Sequence, residues 1–176
     1  MAAAAVRTVS TPDGPFTIIA GATVIASGWT DDVDKLLRLV DPSLQPTELT
    51  DDAFGYAMRE ALIAVDAYYH GQFGPMLVVP VAQWDSAPFR QRCRAMLHGI
   101  APRHTITYKE LATRAGNPRA SRAAATACAT NPVALFLPCH RVLREDGDLG
   151  GFLYGMDLKQ ALLDRESALP SYRHRV

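Results

Sequence analysis

The chain has 176 residues, of which 48% are hydrophobic and 20% charged, a composition typical of globular proteins and not of disordered, collagen-like or coiled-coil chains. Three cysteines at wide spacing, without a CxxC pair or a histidine cluster, argue against a disulfide framework and predict no metal site. The first residues lack the pattern of a signal peptide, and no apolar run is long enough to span a bilayer. We therefore expect a cytoplasmic protein in a reducing compartment.

The formal net charge of zero conceals two halves of opposite sign. Residues 1–85 hold 4 Lys/Arg against 11 Asp/Glu, whereas residues 86–176 hold 14 Lys/Arg against 7 Asp/Glu. We interpret these halves as two domains, 1–85 and 86–176, the second of which meets a polyanion. The alternative is a surface of solvated charges whose halves attract one another, and charge alone does not decide between the two.

The N-terminal half alternates short apolar runs with turn signals. Three runs separated by such signals predict an antiparallel meander: 6–10, 16–20 and 23–27. Helical spacing predicts a short helix after Asp32 and a longer one from about Asp52 to Gly71. A strand is predicted at 76–81. Because we find no catalytic constellation here, we expect this half to be a scaffold.

The C-terminal half predicts three helices in succession. Ser86 is predicted to cap an arginine-flanked helix, and Thr107 is predicted to cap a second helix over 108–115. The turn Gly116-Asn117-Pro118 then leads into a third helix, 119–130. Two short helices joined by a tight glycine-containing turn are typical of a helix-turn-helix.

The third of these helices consists almost entirely of small residues, with Arg122 as its one long side chain. Such a helix can approach another surface closely, which suits a DNA groove, although similar helices also occur simply to pack tightly. The combination with a turn motif and a basic stretch favours nucleic acid. Arg122 would then fill the space left by an extruded base.

An apolar stretch bracketed by prolines, 131–142, carries Cys139 with His140 directly after it. We interpret it as a buried strand that ends at a site, because Pro138 cannot donate to a ladder. Cys139 could also be one more small buried hydrophobe, as most free cysteines are. In the functional interpretation His140 draws the thiol proton to give a thiolate, which requires a bridging water or a helix start after Pro138.

A histidine used in this way needs an acceptor on its other ring nitrogen. Glu166, on a predicted helix behind the site, is the first candidate. Spacing alone leaves Asp164 and Glu145 open.

The pentapeptide Pro138-Cys139-His140-Arg141-Val142, preceded by Asn131-Pro132 and by Arg122-Ala123 in the small-residue helix, resembles the O6-alkylguanine-DNA alkyltransferase family. The resemblance extends weakly to 10–15 and strongly to 162–166. It implies an α/β (α+β) fold, with an N-terminal ribonuclease-H-like sheet domain and a C-terminal helical domain. In that family the helical domain binds the minor groove of DNA through a helix-turn-helix.

The same resemblance implies a single-turnover DNA repair protein that moves an alkyl group from O6-alkylguanine, with O4-alkylthymine as a second candidate, onto Cys139. Glu166 would orient His140, which would act on the thiol through a water. Tyr108 would donate a proton to the leaving guanine, Arg122 would replace the flipped nucleotide, and Asn131 would brace the turn before the cysteine.

Further contacts are also implied by the resemblance. The implied DNA-binding residues are Thr107, Tyr108, Arg122, Ala123, Ala124 and Ala127. The implied walls of the alkylguanine pocket are Pro138, Val142, Phe152, Leu153 and Tyr154. A thioether has no easy hydrolysis route, so we expect neither a cofactor nor repeated turnover. The expected partner is double-stranded DNA with alkylated guanine, bound by a monomer that can cluster on DNA and is associated with the nucleoid when acting, without a membrane.

Three positions depart from the family's usual pattern. Arg103 follows Ala101-Pro102 where members commonly carry Pro-x-Gly, and Arg94 replaces a common tryptophan, which would alter domain packing or add a DNA contact. The loop 151–155 is bulkier than usual. We expect Tyr154 to narrow the pocket, so that a benzylated free base is a poor substrate while methylated DNA stays a good one.

Two other classes and one further question stay open. A damage sensor would flip the base without repairing it, but such alkyltransferase-like proteins lack the cysteine. A cysteine hydrolase of acyl substrates would need an oxyanion hole and gives no reason for the basic alanine helix. The sequence leaves open whether Lys159 and the tail 172–175 contact phosphate or stay solvated.

Overall fold

A four-stranded sheet forms the N-terminal part of the computed structural model, which describes residues 3–51, 55–82 and 85–168. The predicted antiparallel meander is confirmed by β1 (Ala4–Thr11), β2 (Gly14–Ala20) and β3 (Val24–Gly28). A short β4 (Leu49–Thr50) runs parallel to the start of β1, which gives the order β3-β2-β1-β4.

Two helices accompany this sheet, and both were predicted. Helix α1 (Val33–Leu37) begins after Asp32, whose carboxylate accepts a hydrogen bond from the Lys35 N–H at 2.9 Å. Helix α2 (Tyr56–Tyr69) buries one face that includes Met58, Val65 and Tyr68. The expected start of α2 near Asp52 lies outside the described residues.

The strand predicted at 76–81 is wrong except at its end, where Val81 makes an isolated parallel bridge to Val24 of β3. Gly74–Leu77 is a 3-10 helix with Pro75 in its first turn, where the fixed φ of proline is favourable. Leu77 and Val78 are 63% and 60% exposed, so this apolar run is not the buried sheet segment that its composition indicated.

Four helices and a small parallel ladder make up the C-terminal part. They are α3 (Pro88–Leu97), α4 (Tyr108–Arg114), α5 (Ser121–Ala129), α6 (Met156–Ala168), β5 (Ile106–Thr107) and β6 (Val142–Leu143). Thr107 caps α4 as predicted, in a reciprocal capping box with Glu110. Ser86 does not cap α3: the cap is Ala87, whose N–H donates to Asp85 Oδ1 at 2.7 Å.

One apolar core joins the two parts, and it includes Phe16 and Tyr68 from the first and Leu111 and Leu137 from the second. Ser27 at the end of β3 fixes the junction, since its hydroxyl donates to the Ala134 carbonyl at 2.8 Å. The segment after α5 is therefore held against the sheet. None of the helices in the described ranges is long and apolar enough to cross a membrane.

Candidate active site

The stretch that carries Cys139 is not a strand, contrary to the prediction. Val133 makes an isolated bridge to β3, and the chain then turns, with Leu135 in the left-handed region at φ 73°. The stretch is apolar because all of 131–142 is buried, rather than because it belongs to a sheet. Cys139–Arg141 forms a 3-10 turn, which is the helix start considered from the sequence.

Asn131 ties the end of α5 to this turn. Its side-chain amide donates to the Leu137 carbonyl at 2.8 Å and lies 3.2 Å from Cys139 Sγ, while its carbonyl accepts from the Val133 N–H at 3.1 Å. The three contacts fix the sulfur relative to α5. A donor on sulfur also favours the thiolate over the thiol.

His140 reaches toward α6, where its Nε2 lies 2.8 Å from Glu166 Oε1. Both side chains are buried, at 0% and 1% exposure. Since the carboxylate can only accept, the network assigns the ring hydrogen to Nε2 and leaves the lone pair on Nδ1. Nδ1 is buried and has no hydrogen-bond partner within the described part of the chain, so it is available as a base.

The other two candidate acids lie elsewhere. Asp164 is exposed on α6 and accepts from Gln160 Nε2 at 2.8 Å. Glu145 pairs with Lys109 at 3.3 Å on the surface. Glu166 is thus the carboxylate that meets His140.

Burial keeps the thiol and the imidazole neutral at rest. It raises the pKa of Cys139, although the Asn131 hydrogen bond and the Lys159 charge oppose this. It lowers the pKa of His140 against the opposing influence of Glu166. Burial also disfavours ionised Glu166, but the hydrogen bonds from His140 and Arg141 and the charge of Arg141 outweigh it and hold the pKa of Glu166 at about 2.

Lys159 is placed otherwise than the sequence indicated, since it neither contacts solvent nor lies on a phosphate-facing surface. It is 0% exposed and donates to the carbonyls of Val142 at 2.7 Å and Leu149 at 2.5 Å. Burial lowers its pKa, and negative charge on Cys139 raises it. The buried residues Lys159, Leu162 and Glu166 recur at helical spacing on α6, which is the signal that could have revealed this lysine.

Arg141 is a second buried cation, and the sequence patterns assigned it no role. Its Nε and Nη2 donate to the two oxygens of Glu166 at 3.0 and 2.9 Å. Its Nη1 donates to the Ile100 carbonyl at 2.5 Å. This two-pronged contact fixes the plane of the carboxylate.

Tyr108 begins α4 and lines a cleft of about 570 Å³ together with Arg122, Arg144 and Gly150. Gly150 has φ +67°, and a Cβ there would collide with the Tyr108 hydroxyl and ring, so the close approach requires glycine. Burial raises the pKa of Tyr108 to about 12, and a thiolate at Cys139 acts in the same direction. The hydroxyl therefore stays protonated and can donate.

Helix α5 presents only part of its surface. Arg122 and Ala123 are exposed and Thr107, at the start of α4, is partly so. Ala124 and Ala127 are 0% exposed, because they face the core against the neighbouring helices. The expected DNA contacts of these two alanines are therefore corrected: neither side chain has surface free for a ligand.

The residues expected in the pocket wall divide in the same way. Val142 is 0% exposed and lies in the core, which corrects its expected place in the wall, and Pro138 is also buried. Leu153 is 39% exposed. The Tyr154 ring packs 5.6 Å from Trp29 and 5.6 Å from Phe152, measured between ring centroids. Its expected effect on substrate size stays a prediction.

Two of the departures now have a structural account. Arg103 adopts φ 68°, a conformation that glycine favours, and its Nε donates to the Glu166 backbone carbonyl at 3.0 Å. Arg94 is 4% exposed and donates to Asp85 and to the Thr130 carbonyl. Of the two expectations for Arg94, the altered packing fits this burial and a DNA contact does not.

The fold is mixed α/β, as predicted. The site places a buried cysteine directly before a histidine that is hydrogen-bonded to a glutamate. No group of His, Cys, Asp or Glu within the described ranges could hold a metal ion.

Comparisons with known proteins give this class a family. A model of the 6-O-methylguanine DNA methyltransferase DNA-binding domain matches residues 88–168. The methylated-DNA–protein-cysteine methyltransferase of Mycobacterium tuberculosis (strain CDC 1551 / Oshkosh) is 30% identical over 162 residues, which cover 92% of each chain. The chain belongs to the methylated-DNA–protein-cysteine methyltransferase family, as its pentapeptide predicted.

Two further comparisons bear on fold and length. The crystal structure of the M. tuberculosis protein in complex with DNA superimposes with a TM-score of 0.75 and 29% identity, covering 95% of this chain and 96% of the other. The bifunctional transcriptional activator/DNA repair enzyme Ada of Escherichia coli (strain K12) is 44% identical over 79 residues, which are 45% of this chain. The chain spans only 22% of that longer protein.

Proposed function

We propose that this protein repairs DNA by direct reversal, taking the alkyl group of O6-alkylguanine, and of O4-alkylthymine as a second base, onto Cys139. One observation carries the proposal. His140 is fixed through Nε2 by Glu166, while its buried Nδ1 is left free one residue from a buried cysteine held by Asn131. Such a pair can accept the thiol proton as the sulfur becomes a nucleophile.

The reaction balances without a cofactor. The Cys139 proton passes through a water to His140 Nδ1, and the sulfur electron pair attacks the saturated alkyl carbon. The carbon–O6 bond breaks and its electrons stay on the guanine, toward which Tyr108 donates a proton. The proton held by His140 then returns through water to the Tyr108 phenolate, so that both residues end as they began and the net exchange moves one hydrogen to guanine and the alkyl group to sulfur. The thioether is stable, so each molecule acts once.

DNA binding is assigned to α4 and α5, which are joined by the turn at 116–118 in the manner of a helix-turn-helix. Arg122 and Ala123 are exposed at the start of α5, and Arg122 also lines the cleft beside Tyr108. An arginine in this place can fill the stack after the alkylated nucleotide has turned out through the minor groove.

The same function implies a cellular compartment and a DNA partner. The three cysteines are free thiols, which fits a reducing cytoplasm, with action at the nucleoid. We assign a monomer that acts on double-stranded DNA. Its oppositely charged halves favour clustering of neighbouring copies along the duplex.

Intact-protein mass spectrometry after incubation with an O6-methylguanine duplex tests the proposal. We expect one permanent methyl addition, located at Cys139 and absent in Cys139→Ser. A duplex with unmodified guanine is the control and should give no addition. Binding without addition would instead support a damage sensor, and neither binding nor addition would leave the cysteine hydrolase.

A further inference from the structure

Tyr68 lies in the N-terminal part of the chain, on α2, yet it contacts the centre of the site. It is 0% exposed, and its hydroxyl donates to Glu166 Oε1 at 3.1 Å across 98 residues of sequence. Burial and the charge of Glu166 raise the pKa of Tyr68, so the hydroxyl stays protonated and acts as a donor. A buried tyrosine hydroxyl needs such a partner, but this partner is the carboxylate that holds His140.

Glu166 Oε1 thereby receives three donors: His140 Nε2 at 2.8 Å, Arg141 Nη2 at 2.9 Å and the Tyr68 hydroxyl at 3.1 Å. The arginine alone would allow the carboxylate to slide along its two-pronged edge. The hydrogen bonds from Tyr68 and His140 restrict this movement and hold Oε1 next to the imidazole.

Two consecutive residues of α6, Arg165 and Glu166, contact the N-terminal part of the chain. Arg165 donates to both oxygens of Asp13, in the β1–β2 turn, at 2.7 and 3.1 Å, and stands 4.8 Å from the Tyr69 ring centroid. Glu166 is then held by Tyr68. The N-terminal sheet and helix therefore set where the carboxylate lies.

From this geometry we infer that Tyr68 is a positioning residue for the Glu166–His140 pair, so that the N-terminal half completes the site as well as supporting it. The effect of Tyr68 on DNA repair rests on the proposed function. Its immediate effect is on His140: the hydroxyl holds Glu166 Oε1 in line with Nε2, and this alignment keeps the ring hydrogen on Nε2 and leaves Nδ1 free.

Tyr68→Phe removes the hydroxyl and keeps the ring. We expect the rate of methyl transfer to fall about 10-fold, as for loss of a group that orients a ligand of a reacting centre. A more basic Glu166 should raise the pKa of His140, so the acid limb of the rate profile should move up by about half a unit. Nitrogen NMR of His140 should show a single Nε2–H tautomer in the parent protein and a mixture in the variant.

Tyr69→Phe is the matched control, because the adjacent hydroxyl bonds to Trp29 and Asp13 and not to Glu166. It should lower the melting temperature but leave the pH profile and the tautomer unchanged. A Tyr68→Phe protein with the parental rate, profile and tautomer would overturn the inference, as would equal shifts in both variants.

Alkylation of Cys139 by iodoacetamide across pH keeps this test separate from the proposed function. If the parent protein takes no methyl group from DNA, the repair proposal fails, but thiol reactivity still reports on the His140 pair. Under the inference, Tyr68→Phe shifts that profile also. An unshifted profile with intact methyl transfer would leave the repair proposal standing and remove Tyr68 from it.

Discussion

Asp85 and Glu166 are both buried carboxylates held by arginine, yet only Glu166 also accepts a hydrogen bond from a histidine. Asp85 accepts from Arg90, at 2.5 Å, from Arg94, and from a backbone N–H. Glu166 accepts from Arg141, Tyr68 and His140. Arginine stays charged at every pH that a protein survives, whereas histidine changes state near neutrality.

The two buried carboxylates differ in the kind of unpaired polar atom that lies beside them. Around Asp85 the unpaired buried atom is Arg94 Nε, which has no lone pair to offer. Around Glu166 it is His140 Nδ1, which can accept a proton. A buried ion pair alone therefore indicates packing, and a buried, unpaired acceptor beside a nucleophile indicates chemistry.

Glu166→Gln should have the largest effect on the reaction. An amide cannot stabilise the imidazolium, and it leaves Arg141 buried without a counter-ion. We expect methyl transfer per folded molecule to fall about 100-fold, within the range for loss of proton-transfer catalysis. Asp164→Asn, on the exposed face of the same helix, is the control and should transfer at the parental rate. A Glu166→Gln protein within a factor of a few of the parent in single-turnover kinetics would contradict the functional half of the comparison.

Asp85→Asn should affect stability instead. The substitution leaves Arg94 buried and Arg90 half-buried opposite a neutral amide, and breaking a buried pair in this way costs about 3 kcal/mol in the free energy of unfolding. Methyl transfer by the folded fraction should stay close to the parental value, because no donor to the site is lost. Chemical denaturation gives the stability, and the exposed Asp34→Asn is the matched control. Should Asp85→Asn abolish transfer in a fully folded protein, the separation of roles would be wrong.

Much of this arrangement was accessible from local sequence patterns, and the rest was not, for physical reasons. Alternation and turn residues predicted the meander, and Thr107 with Glu110 predicted the start of α4. Apolar composition misled at 76–81 and 131–142, because a segment can be apolar through burial, or remain partly exposed, while making no more than a single bridge to the sheet.

The site divides along the same line. The pentapeptide and its resemblance to a known family indicated Cys139, His140 and Glu166, whereas composition and spacing left two other acids open. Tyr68 could not be found in this way, since its bond to Glu166 spans 98 residues and depends on how α2 packs against α6. Long-range contacts of a single hydroxyl leave no local pattern in a chain.

Acid titration of stability should show the smallest effect, and it examines both carboxylates at once. Glu166 has a folded pKa of about 2, below the ordinary value of about 4.3, so its ionisation stabilises the fold above pH 4.3, and that contribution is lost as the pH falls toward 2. The pKa of Asp85 is lowered too, by Arg90 and the Ala87 N–H, against the effect of burial, so its contribution has the same sign.

Glu166→Gln and Asp85→Asn should therefore each flatten the fall of unfolding free energy below pH 4.3, relative to Asp34→Asn. Above pH 4.3 the two variants should differ from each other. His140 has a lowered pKa, so stability also declines as the pH falls below about 6.5, where the unfolded histidine binds a proton that the buried one resists. Removing the Glu166 charge weakens proton binding by the folded His140 further, so Glu166→Gln should steepen this upper decline while Asp85→Asn leaves it unchanged. Identical curves for the two variants between pH 6.5 and 5, measured by urea unfolding, would mean that His140 does not depend on Glu166 for its charge state.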